Sequence, residues 1–405
     1  MKILQINAVG QSGSTGRTCQ EFASFINNHT SHTCYTAFAQ GKTGEFCYQI
    51  GDRIEWKSHA FLSRLTGKQA HFSRRGTRGL LRYIGQIQPD IVHLRNLHGN
   101  YIHFPMLMKF LAENRIPVVL TLHDCWFFTG KCTHYTVDRC DRWISGCHDC
   151  PRLKKDNRSW FRDATSELWK EKKTLFSSLP ALAVVGVSDW ITEEARKSFL
   201  SCAKEIIRIY NWIDLDLFSS QNATELSEKL KSGKKHLVLG VASGWSGDKG
   251  LYDFMKLAEK LQDTAMIALV GNLPEKEKLP ENILSIPSTE SVETLVRYYN
   301  AADVFVTLSL EETFGKVSAE ALACGTPVVC YDSTANGELV GEGCGAVVPP
   351  KDLDSAEQAV REILANGKKK YSSGCRVFAE NNFEKIERIK DYLYIYKNIS
   401  NFKLR

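Results

Sequence analysis

The chain has 405 residues, of which 43% are hydrophobic and 24% charged, with a formal net charge of +6. This length exceeds what one hydrophobic core usually supports, so two domains are expected, and the composition excludes extended disorder. No stretch approaches the roughly eighteen apolar residues of a membrane-spanning helix, and the first residues lack the apolar core of a signal peptide. The sequence therefore predicts a cytoplasmic protein.

Short apolar runs alternate with helical stretches along the whole chain, which predicts an α/β protein with doubly wound parallel sheets. In the first half, strands are predicted at Lys2–Val9, Tyr35–Gln40, Ile91–Leu94, Val118–His123, Leu182–Ser188 and Ile206–Asn211. In the second half, they are predicted at Leu237–Ser243, Met266–Gly271, Leu284–Ile286, Asp303–Leu308, Val328–Tyr331 and Ala346–Val348. The polar stretch Ser219–Lys235 is the predicted linker, and Glu384–Arg405 is predicted to be a packed helix.

The most informative segment is Ser309–Pro327, which reads SLEETFGKVSAEALACGTP. Two carboxylates, Glu312 and Glu320, stand eight positions apart where a buried strand meets the start of a helix. Free backbone N–H groups at such a helix start suit a phosphate. At about 1.5 Å per residue, eight helical positions span about 12 Å. This is the scale of a nucleoside diphosphate sugar.

This segment resembles the Glu-x7-Glu motif of the family 4 retaining glycosyltransferases, and so does the following Ala323–Val329 (ACGTPVV). The resemblance implies the GT-B fold, in which two Rossmann-like doubly wound domains face a cleft and a C-terminal helix crosses back to the first domain. The expected domains are an acceptor-side domain at 1–215, a nucleotide-sugar-binding domain at 216–385 and the helix at 386–405. The other explanation is a surface helix with an ordinary pair between Lys316 and Glu320.

The resemblance also implies roles for residues of the second domain. Glu312 would orient the donor through sugar hydroxyls, Lys249 would contact the donor diphosphate and Glu320 the ribose. Other residues implied to bind the donor are Ser243, Thr313, Phe314, Gly315 and Lys316. The family usually carries an arginine shortly before this lysine, and here those places hold Ser243, Gly244 and Trp245. Either serine and backbone amides bind the phosphates, or a cation arrives from elsewhere.

In the first domain, His123 at a strand end would hydrogen-bond a hydroxyl of the donor sugar. The glycine-rich loop with Gly13 and Gly16 would allow close backbone approach to the diphosphate, and Arg17 could supply the missing cation. The loop with His98 and Asn100 would line the acceptor side. The lone histidines have an alternative explanation as core residues.

Four cysteines, Cys132, Cys140, Cys147 and Cys150, follow the pattern C-x7-C-x6-C-x2-C. Four thiolates at this spacing could hold a structural zinc ion, and uncoordinated thiols are the alternative. A similar spacing occurs in transferases resembling those of exopolysaccharide clusters such as colanic acid. A catalytic metal is not expected, because no Asp-x-Asp pair lies near a donor site.

The segment Arg53–Arg82 contains eight basic residues and a single acid, Glu55, with three aromatic residues interleaved. Such a surface could contact anionic lipid headgroups or an anionic acceptor, or it could be an ordinary solvated face. No nucleic-acid-binding motif accompanies it, so a nucleic-acid partner is not expected.

The sequence therefore predicts a glycosyltransferase that moves a sugar, with retention, from a nucleoside diphosphate sugar to a glycan or lipid-linked acceptor in surface polysaccharide biosynthesis. No cofactor is expected for catalysis. Two alternatives stay open at this point. One is a sugar-nucleotide 2-epimerase of GT-B fold, and the other is a non-catalytic nucleotide-sugar-binding or scaffold protein of a polysaccharide complex.

Overall fold

The structure is a computed structural model that describes residues 1–275, 277–289 and 291–400. It divides into two compact units, the first formed by Met1–Ile209 with Ile389–Arg405 and the second by Tyr210–Arg388. The domain boundaries at 215 and 385 expected from the sequence stay predictions. Residues 401–405 of the expected terminal helix lie outside the described part of the chain.

The first unit is built on a seven-stranded parallel sheet of order β3-β2-β1-β4-β5-β6-β7. Its strands are β1 (Lys2–Val9), β2 (Thr33–Gln40), β3 (Cys47–Gln49), β4 (Ile91–Leu94), β5 (Val118–Leu122), β6 (Leu182–Gly186) and β7 (Glu205–Arg208). Its helices are α1 (Gly13–His29), α2 (Arg53–Thr66), α3 (Arg74–Ile87), α4 (Phe104–Glu113), α5 (Thr165–Ser177) and α6 (Asp189–Lys197), followed by a 3-10 turn (Phe199–Cys202). Strands β4, β5 and β6 are buried throughout, as parallel strands covered on both faces must be.

The second unit carries a six-stranded parallel sheet of order β10-β9-β8-β11-β12-β13. Its strands are β8 (His236–Gly244), β9 (Ala265–Asn272), β10 (Ile283–Ile286), β11 (Val304–Thr307), β12 (Val328–Tyr331) and β13 (Gly345–Val348). Its helices are α7 (Thr224–Lys231), α8 (Leu251–Lys260), α9 (Val292–Ala301), α10 (Lys316–Ala323), α11 (Leu353–Asn366) and α12 (Lys369–Phe383), with a 3-10 turn at Gly337–Leu339. The predicted two-domain α/β fold is confirmed.

The last helix, α13 (Lys385–Ser400), packs into the first unit from Ile389 onward. The Tyr396 hydroxyl lies 2.5 Å from Nδ1 of the fully buried His93, whose Nε2 lies 2.7 Å from Oγ1 of Thr121. The Tyr392 hydroxyl lies 3.0 Å from the same Thr121 oxygen. These bonds tie the helix to strands β4 and β5, as expected from the predicted return of the C-terminal helix.

One sequence prediction of local structure is wrong, and one strand was not predicted. The stretch Ser219–Lys235 was expected to be a linker, but it contains α7, whose Leu230 is buried and whose Ser227 donates a 2.8 Å hydrogen bond to the Ala301 carbonyl. Tertiary packing thus outweighs the polar composition. Strand β3 was missed, because its three residues, Cys47–Gln49, are too few to show an alternating pattern.

Candidate active site

In each unit, most of the polar loops predicted to be functional follow the strands at which the strand order reverses. In the first sheet the reversal falls between β1 and β4, and in the second between β8 and β11. Connections leave in opposite directions at such a point, so a crevice opens beyond the carboxyl ends of the two strands. In the second sheet, β8 and β11 are directly paired, with Leu239 opposite Phe305. The loops that follow these two strands are therefore neighbours.

The loop after β8 presses against the end of β11 through Gly250. This residue has φ +79°, and a Cβ placed on it would lie 2.5 Å from the Leu308 carbonyl oxygen. Only glycine permits that approach. The backbone N–H of Leu310 donates to the Asp248 carbonyl at 2.9 Å. These contacts hold the loop that carries Lys249 against the loop that carries Glu312.

Lys249 and Glu312 form an ion pair in which Nζ lies 2.5 Å from Oε1. Their side chains are 36% and 20% exposed, so both can reach a ligand in solvent. The backbone of Glu312 is held from both sides. Its N–H donates to Oγ1 of Thr334 at 2.8 Å, and its carbonyl accepts from the N–H of Ala335 at 3.2 Å. The structure thus brings together the two residues that were predicted to contact the donor's diphosphate and sugar.

Gly315 precedes α10 and adopts a left-handed conformation with φ +83°. The first amides of an α-helix have no partner within the helix, so this end of α10 can bind an anion. The side chains of Thr313 and Phe314 are buried, and the Phe314 ring packs against Tyr210 at 5.8 Å between centroids. These two residues can therefore offer a ligand their backbone groups, while Lys316 starts the helix with a half-buried cation.

Glu312 lies in the loop before α10, and only Glu320 lies within the helix. The helical rise expected to separate the two carboxylates therefore does not apply between them. Glu320 is 4% exposed, and its Oε2 accepts a 2.9 Å hydrogen bond from the hydroxyl of Tyr299, which is fully buried on α9. The two carboxylates thus differ, one paired with a lysine at the surface and the other fixed by a buried phenol.

Where the family usually carries an arginine, this chain has a core residue. Trp245 is 6% exposed, its Nε1 donates to the Val270 carbonyl at 3.2 Å, and its ring packs against Phe254. Ser243, at the end of β8, is exposed. Lys316, at the start of α10, is a cation of the second unit that follows the Glu312 loop.

In the first unit, the loop after β1 leads into α1 at Gly13, which has φ +65°. A Cβ on Gly16 would lie 3.1 Å from both Val9 Cγ2 and the backbone carbon of Gln11, so a larger residue there would crowd the start of the helix against the strand. Arg17 lies on the first turns of α1 and is half-buried. The predicted approach of this loop's backbone to a diphosphate, with Arg17 as the cation, stays a prediction.

His123 directly follows β5, and the fully buried Arg95 approaches it, with Nη1 3.4 Å from Nε2 of the imidazole. A guanidinium can only donate hydrogen bonds. Nε2 of His123 must therefore accept, which places the proton of the neutral imidazole on Nδ1. Arg95 is itself fixed by a 3.0 Å bond from Nε to Oε1 of Gln5. This arrangement suits a histidine that donates a hydrogen bond to a hydroxyl rather than one that acts as a strong base.

His98 pairs with Asp124, with Nε2 2.8 Å from Oδ2. The other carboxylate oxygen accepts from the N–H of Trp126 at 2.9 Å. Burial opposes protonation of His98, but the charge and hydrogen bond of Asp124 outweigh it and raise the pKa of the imidazole. The same pair, against the effect of burial, holds the pKa of Asp124 below its ordinary value. Asn100, predicted on the same loop, has φ +57°.

Cys132, Cys140, Cys147 and Cys150 line one cavity of about 20 Å³. The sulfurs of Cys132 and Cys150 lie 3.8 Å apart, which is about the edge of a tetrahedron of zinc–sulfur bonds of about 2.3 Å. The N–H of Gly130 lies 3.2 Å from the Cys147 sulfur. Yet among residues 1–275, 277–289 and 291–400 no three His, Cys, Asp or Glu side chains are arranged as metal ligands. One edge of a zinc site fits, and the zinc stays a prediction.

Sequence reasoning missed three residues at these sites, namely Arg95, Asp124 and Tyr299. The first two had a local signal, because Arg95 follows the apolar run Ile91–Leu94 and Asp124 follows His123. Charged residues placed directly after buried strands face the crevice or support residues that do. Tyr299 had no such signal, since it meets Glu320 only through the packing of α9 against α10.

In the part of the chain that the structure describes, no helix is both long and apolar enough to cross a bilayer.

Two family models match the chain. The model described as Glycosyl transferases group 1 matches residues 222–380, and the one described as Glycosyltransferase Family 4 matches residues 35–217. The chain is 21% identical over 325 residues to the putative colanic acid biosynthesis glycosyl transferase WcaC of Escherichia coli K12, covering 77% of each chain. It is 27% identical over 184 residues to the putative teichuronic acid biosynthesis glycosyltransferase TuaC of Bacillus subtilis, covering 44% of this chain and 46% of that one.

Solved structures with the same fold cover nearly the whole chain. The Anabaena protein Alr3699/HepE in complex with UDP aligns with a TM-score of 0.67 at 15% identity, over 98% of this chain and 100% of that one. A glycosyltransferase from Rickettsia africae aligns with a TM-score of 0.67 at 16% identity, over 98% of each chain. The two family models lie one on each unit, and both sheets have the topology of GT-B proteins. Each half of the chain thus matches a glycosyltransferase family model, and the protein is a glycosyltransferase of the GT-B fold.

Proposed function

We propose that the protein transfers a sugar from a nucleoside diphosphate sugar to a glycan or lipid-linked acceptor, with retention of the anomeric configuration, in the synthesis of a surface polysaccharide. The observation that carries this proposal is the Lys249–Glu312 pair beside the start of α10, at the point where the strand order reverses. A cation, a carboxylate and uncapped amides in one place suit a diphosphate joined to a sugar.

Each group has a distinct task in this reaction. The bond that breaks joins the anomeric carbon to the diphosphate oxygen, so negative charge develops on the leaving phosphate. The Lys249 ammonium and the amides at the start of α10 would stabilise that charge electrostatically. Glu312 would accept hydrogen bonds from donor sugar hydroxyls and orient the ring. The leaving phosphate would take the acceptor proton on the face that it leaves, which gives retention without an enzyme nucleophile.

Three further residues would contact the donor, each through the group that its local structure presents. Lys316 would add a second cation at the diphosphate, and Glu320, held by Tyr299, would accept hydrogen bonds from the ribose. His123, with its proton on Nδ1, would donate to a sugar hydroxyl. These contacts supply the cationic and hydrogen-bonding groups of the reaction from the chain itself, so we propose that catalysis requires no cofactor.

The relatives support a nucleoside diphosphate sugar as the donor and polysaccharide biosynthesis as the pathway. One solved neighbour, Anabaena Alr3699/HepE, is described in complex with UDP and with UDP-glucose. Two sequence relatives are described as putative glycosyltransferases of colanic acid and teichuronic acid biosynthesis. The structural neighbours are less than 25% identical to this chain, so they support the fold rather than the donor base.

A panel of UDP-, GDP- and ADP-sugars tested by thermal shift would identify the donor, because a ligand that binds the folded state raises the melting temperature. Transfer from that donor to a candidate acceptor, followed by NMR of the anomeric proton, tests retention. Incubation of the donor alone separates the alternatives, since an epimerase would form the epimer and a scaffold protein would leave the donor intact. Inversion of the anomeric configuration would refute the same-face mechanism.

We also propose that the protein works in the cytoplasm and contacts anionic membranes peripherally through α2. Exposed apolar side chains lie on this helix, and Phe61 meets Trp160 from a separate loop at 5.7 Å between ring centroids. Ile54 and Leu65 on α2 are also exposed, and so is Phe161, which follows Trp160 in the sequence. Of the basic stretch, Lys68 pairs with Glu167 and Arg75 with Asp52. The remaining cations can meet lipid phosphates, each contributing about 1 kcal/mol near the surface.

Vesicle co-sedimentation tests this contact. Binding should favour anionic over neutral vesicles and weaken as salt shortens the screening length below about 10 Å. The double variant Phe61→Ser, Phe161→Ser should bind vesicles more weakly, whereas Val377→Ser, which removes an exposed apolar side chain from the second unit, should not. Equal partitioning into both kinds of vesicle would show that α2 is only a solvated face.

A further inference from the structure

The loop that follows β12, residues 332–336, supports the loop that carries Glu312. The strands before these two loops, β11 and β12, are paired, so the loops leave the sheet side by side. The carbonyl of Ser309 accepts hydrogen bonds from Oγ of Ser333 at 2.7 Å and from Nδ2 of Asn336 at 2.9 Å. Ser309 and Asn336 are 2% and 1% exposed. Buried polar contacts of this kind fix the relative position of the segments that they join.

Thr334 makes the contact closest to the origin of the Glu312 side chain. Its Oγ1 accepts a 2.8 Å hydrogen bond from the backbone N–H of Glu312. The N–H of Ala335 donates to the Glu312 carbonyl at 3.2 Å, so consecutive residues of one loop bond both sides of the same Cα. This Cα carries the carboxylate that meets Lys249. The position of the carboxylate therefore depends on the Thr334 hydroxyl.

The backbone of Thr334 is strained. Its φ is +49°, although threonine is branched at Cβ. The left-handed conformation is unfavourable for a branched residue, and glycine, asparagine or aspartate ordinarily occupies it. Glycine would relieve the strain but would offer the Glu312 N–H no side-chain acceptor. Strained residues persist where surrounding contacts maintain them, and they cluster at functional sites, so the hydrogen bond to Glu312 accounts for a threonine at this position.

The Glu312 loop is also held on its other side, by the loop that carries Lys249. The N–H of Leu310 donates to the carbonyl of Asp248 at 2.9 Å, and Asp248 directly precedes Lys249. Strands β8, β11 and β12 are consecutive in the sheet, so three neighbouring loops form one assembly with Glu312 in the middle. Because a displacement of about 1 Å can lower the turnover of an enzyme about a hundredfold, the support of this loop bears on the chemistry.

We propose that Thr334 is a positioning residue of the sugar transfer, whose hydroxyl holds the Glu312 backbone so that the carboxylate meets the donor sugar. Its strained conformation is retained for that bond. Thr334 acts through Glu312 and not on the donor, so its loss should lower turnover and leave the affinity for the nucleotide unchanged. The inference rests on the proposed transferase function.

Initial rates of sugar transfer, with calorimetric titration of UDP, GDP or ADP according to the donor base, test the proposal. Thr334→Val keeps the branched shape but cannot accept the hydrogen bond, so turnover should fall about tenfold or more while the nucleotide affinity stays within about twofold. Thr334→Ser keeps the hydroxyl and should retain turnover within about threefold. Unchanged turnover in Thr334→Val, or an equal loss in Thr334→Ser, would overturn the proposal.

A double-mutant cycle separates positioning from a general loss of stability. If Thr334 acts through the carboxylate, adding Thr334→Val to Glu312→Gln should lower turnover by no more than about twofold further. The same loss in both backgrounds would overturn the proposal. Thr334→Gly removes both the strain and the hydroxyl, so it should melt at a higher temperature than Thr334→Val and yet have the same low turnover. Wild-type turnover in Thr334→Gly would contradict the role of the hydroxyl.

Thr264→Val is the matched control. Thr264 is half-buried like Thr334, and its Oγ1 accepts a 3.0 Å hydrogen bond from Arg361. It directly precedes β9, so it lies at the edge of the sheet opposite the strand ends that carry Glu312. Its turnover should stay within about twofold of the wild type, and a loss as large as that of Thr334→Val would overturn the proposal.

The wild-type protein distinguishes the two levels of the argument. Transfer by the wild type at a rate that Thr334→Val matches would overturn the role of Thr334 alone. No transfer by the wild type from any UDP-, GDP- or ADP-sugar of the panel would refute the transferase function, and the role of Thr334 with it.

Discussion

The two partners of the Lys249–Glu312 pair should have opposite effects on nucleotide binding. The Lys249 ammonium contacts the Glu312 carboxylate at 2.5 Å. A donor diphosphate must draw Lys249 away from Glu312, so the pair opposes nucleotide binding. Glu312→Gln should therefore leave the affinity for nucleoside diphosphate unchanged or increase it, while Lys249→Met should weaken it.

The expected change in nucleotide affinity can be estimated from the exposed fractions of the two side chains and from the hydrogen bonds that each variant loses. With side chains 36% and 20% exposed, the pair belongs with partly exposed ion pairs, which contribute about 0.2–1 kcal/mol. Glu312→Gln can then tighten nucleotide binding by up to about fivefold. Lys249→Met removes a hydrogen bond between charged groups worth about 1.5–3 kcal/mol, and should weaken binding about ten- to a hundredfold. The turnover of Glu312→Gln should also fall about ten- to a hundredfold for each hydrogen bond between a sugar hydroxyl and the Glu312 carboxylate that is lost.

Isothermal titration with the nucleoside diphosphate, together with initial rates from the intact donor, measures both quantities. Asp354→Asn is the matched control, because it breaks a surface pair with Lys260 of 2.6 Å in the same unit, and should change neither affinity nor rate. The double variant completes a cycle that reports the coupling between the two residues. If Glu312→Gln weakened nucleotide binding as much as Lys249→Met, the assignment of Lys249 to phosphate and Glu312 to sugar would be wrong.

Two further predictions concern the first unit. Asp124→Asn should lower the pKa of His98, because burial without the Asp124 charge disfavours the protonated imidazole. In the wild type, the stability contributed by the pair is complete below the ordinary histidine pKa of about 6.5 and is lost as the pH rises through the raised pKa. Imidazole NMR that found the same His98 pKa in both proteins would contradict this. If the cysteine cluster binds zinc, the purified protein should carry about one zinc per chain and a chelator should lower its melting temperature. An unchanged melting temperature in Cys147→Ser, Cys150→Ser would exclude a structural role for the metal.

The sequence by itself determined the order of the strands other than β3, and the residues at the ends of these strands. Buried parallel strands are short apolar runs, and Val118–His123 and Val328–Tyr331 show this pattern without help from the rest of the chain. The turns at Gly250 and Gly315 also have a local signal, because a left-handed residue before a helix favours glycine. Local chemistry thus located Lys249 and Glu312.

Only the tertiary structure decided which of these residues meet. Whether Glu320 faces solvent or a buried partner depends on the packing of α9 against α10, which brings Tyr299 to its carboxylate. Gln69 and Asn157 lie far apart in the sequence, yet Gln69 Nε2 lies 3.3 Å from Asn157 Oδ1. Such contacts leave no periodic signal, because each is set by the closure of long loops around a sheet rather than by neighbours along the chain.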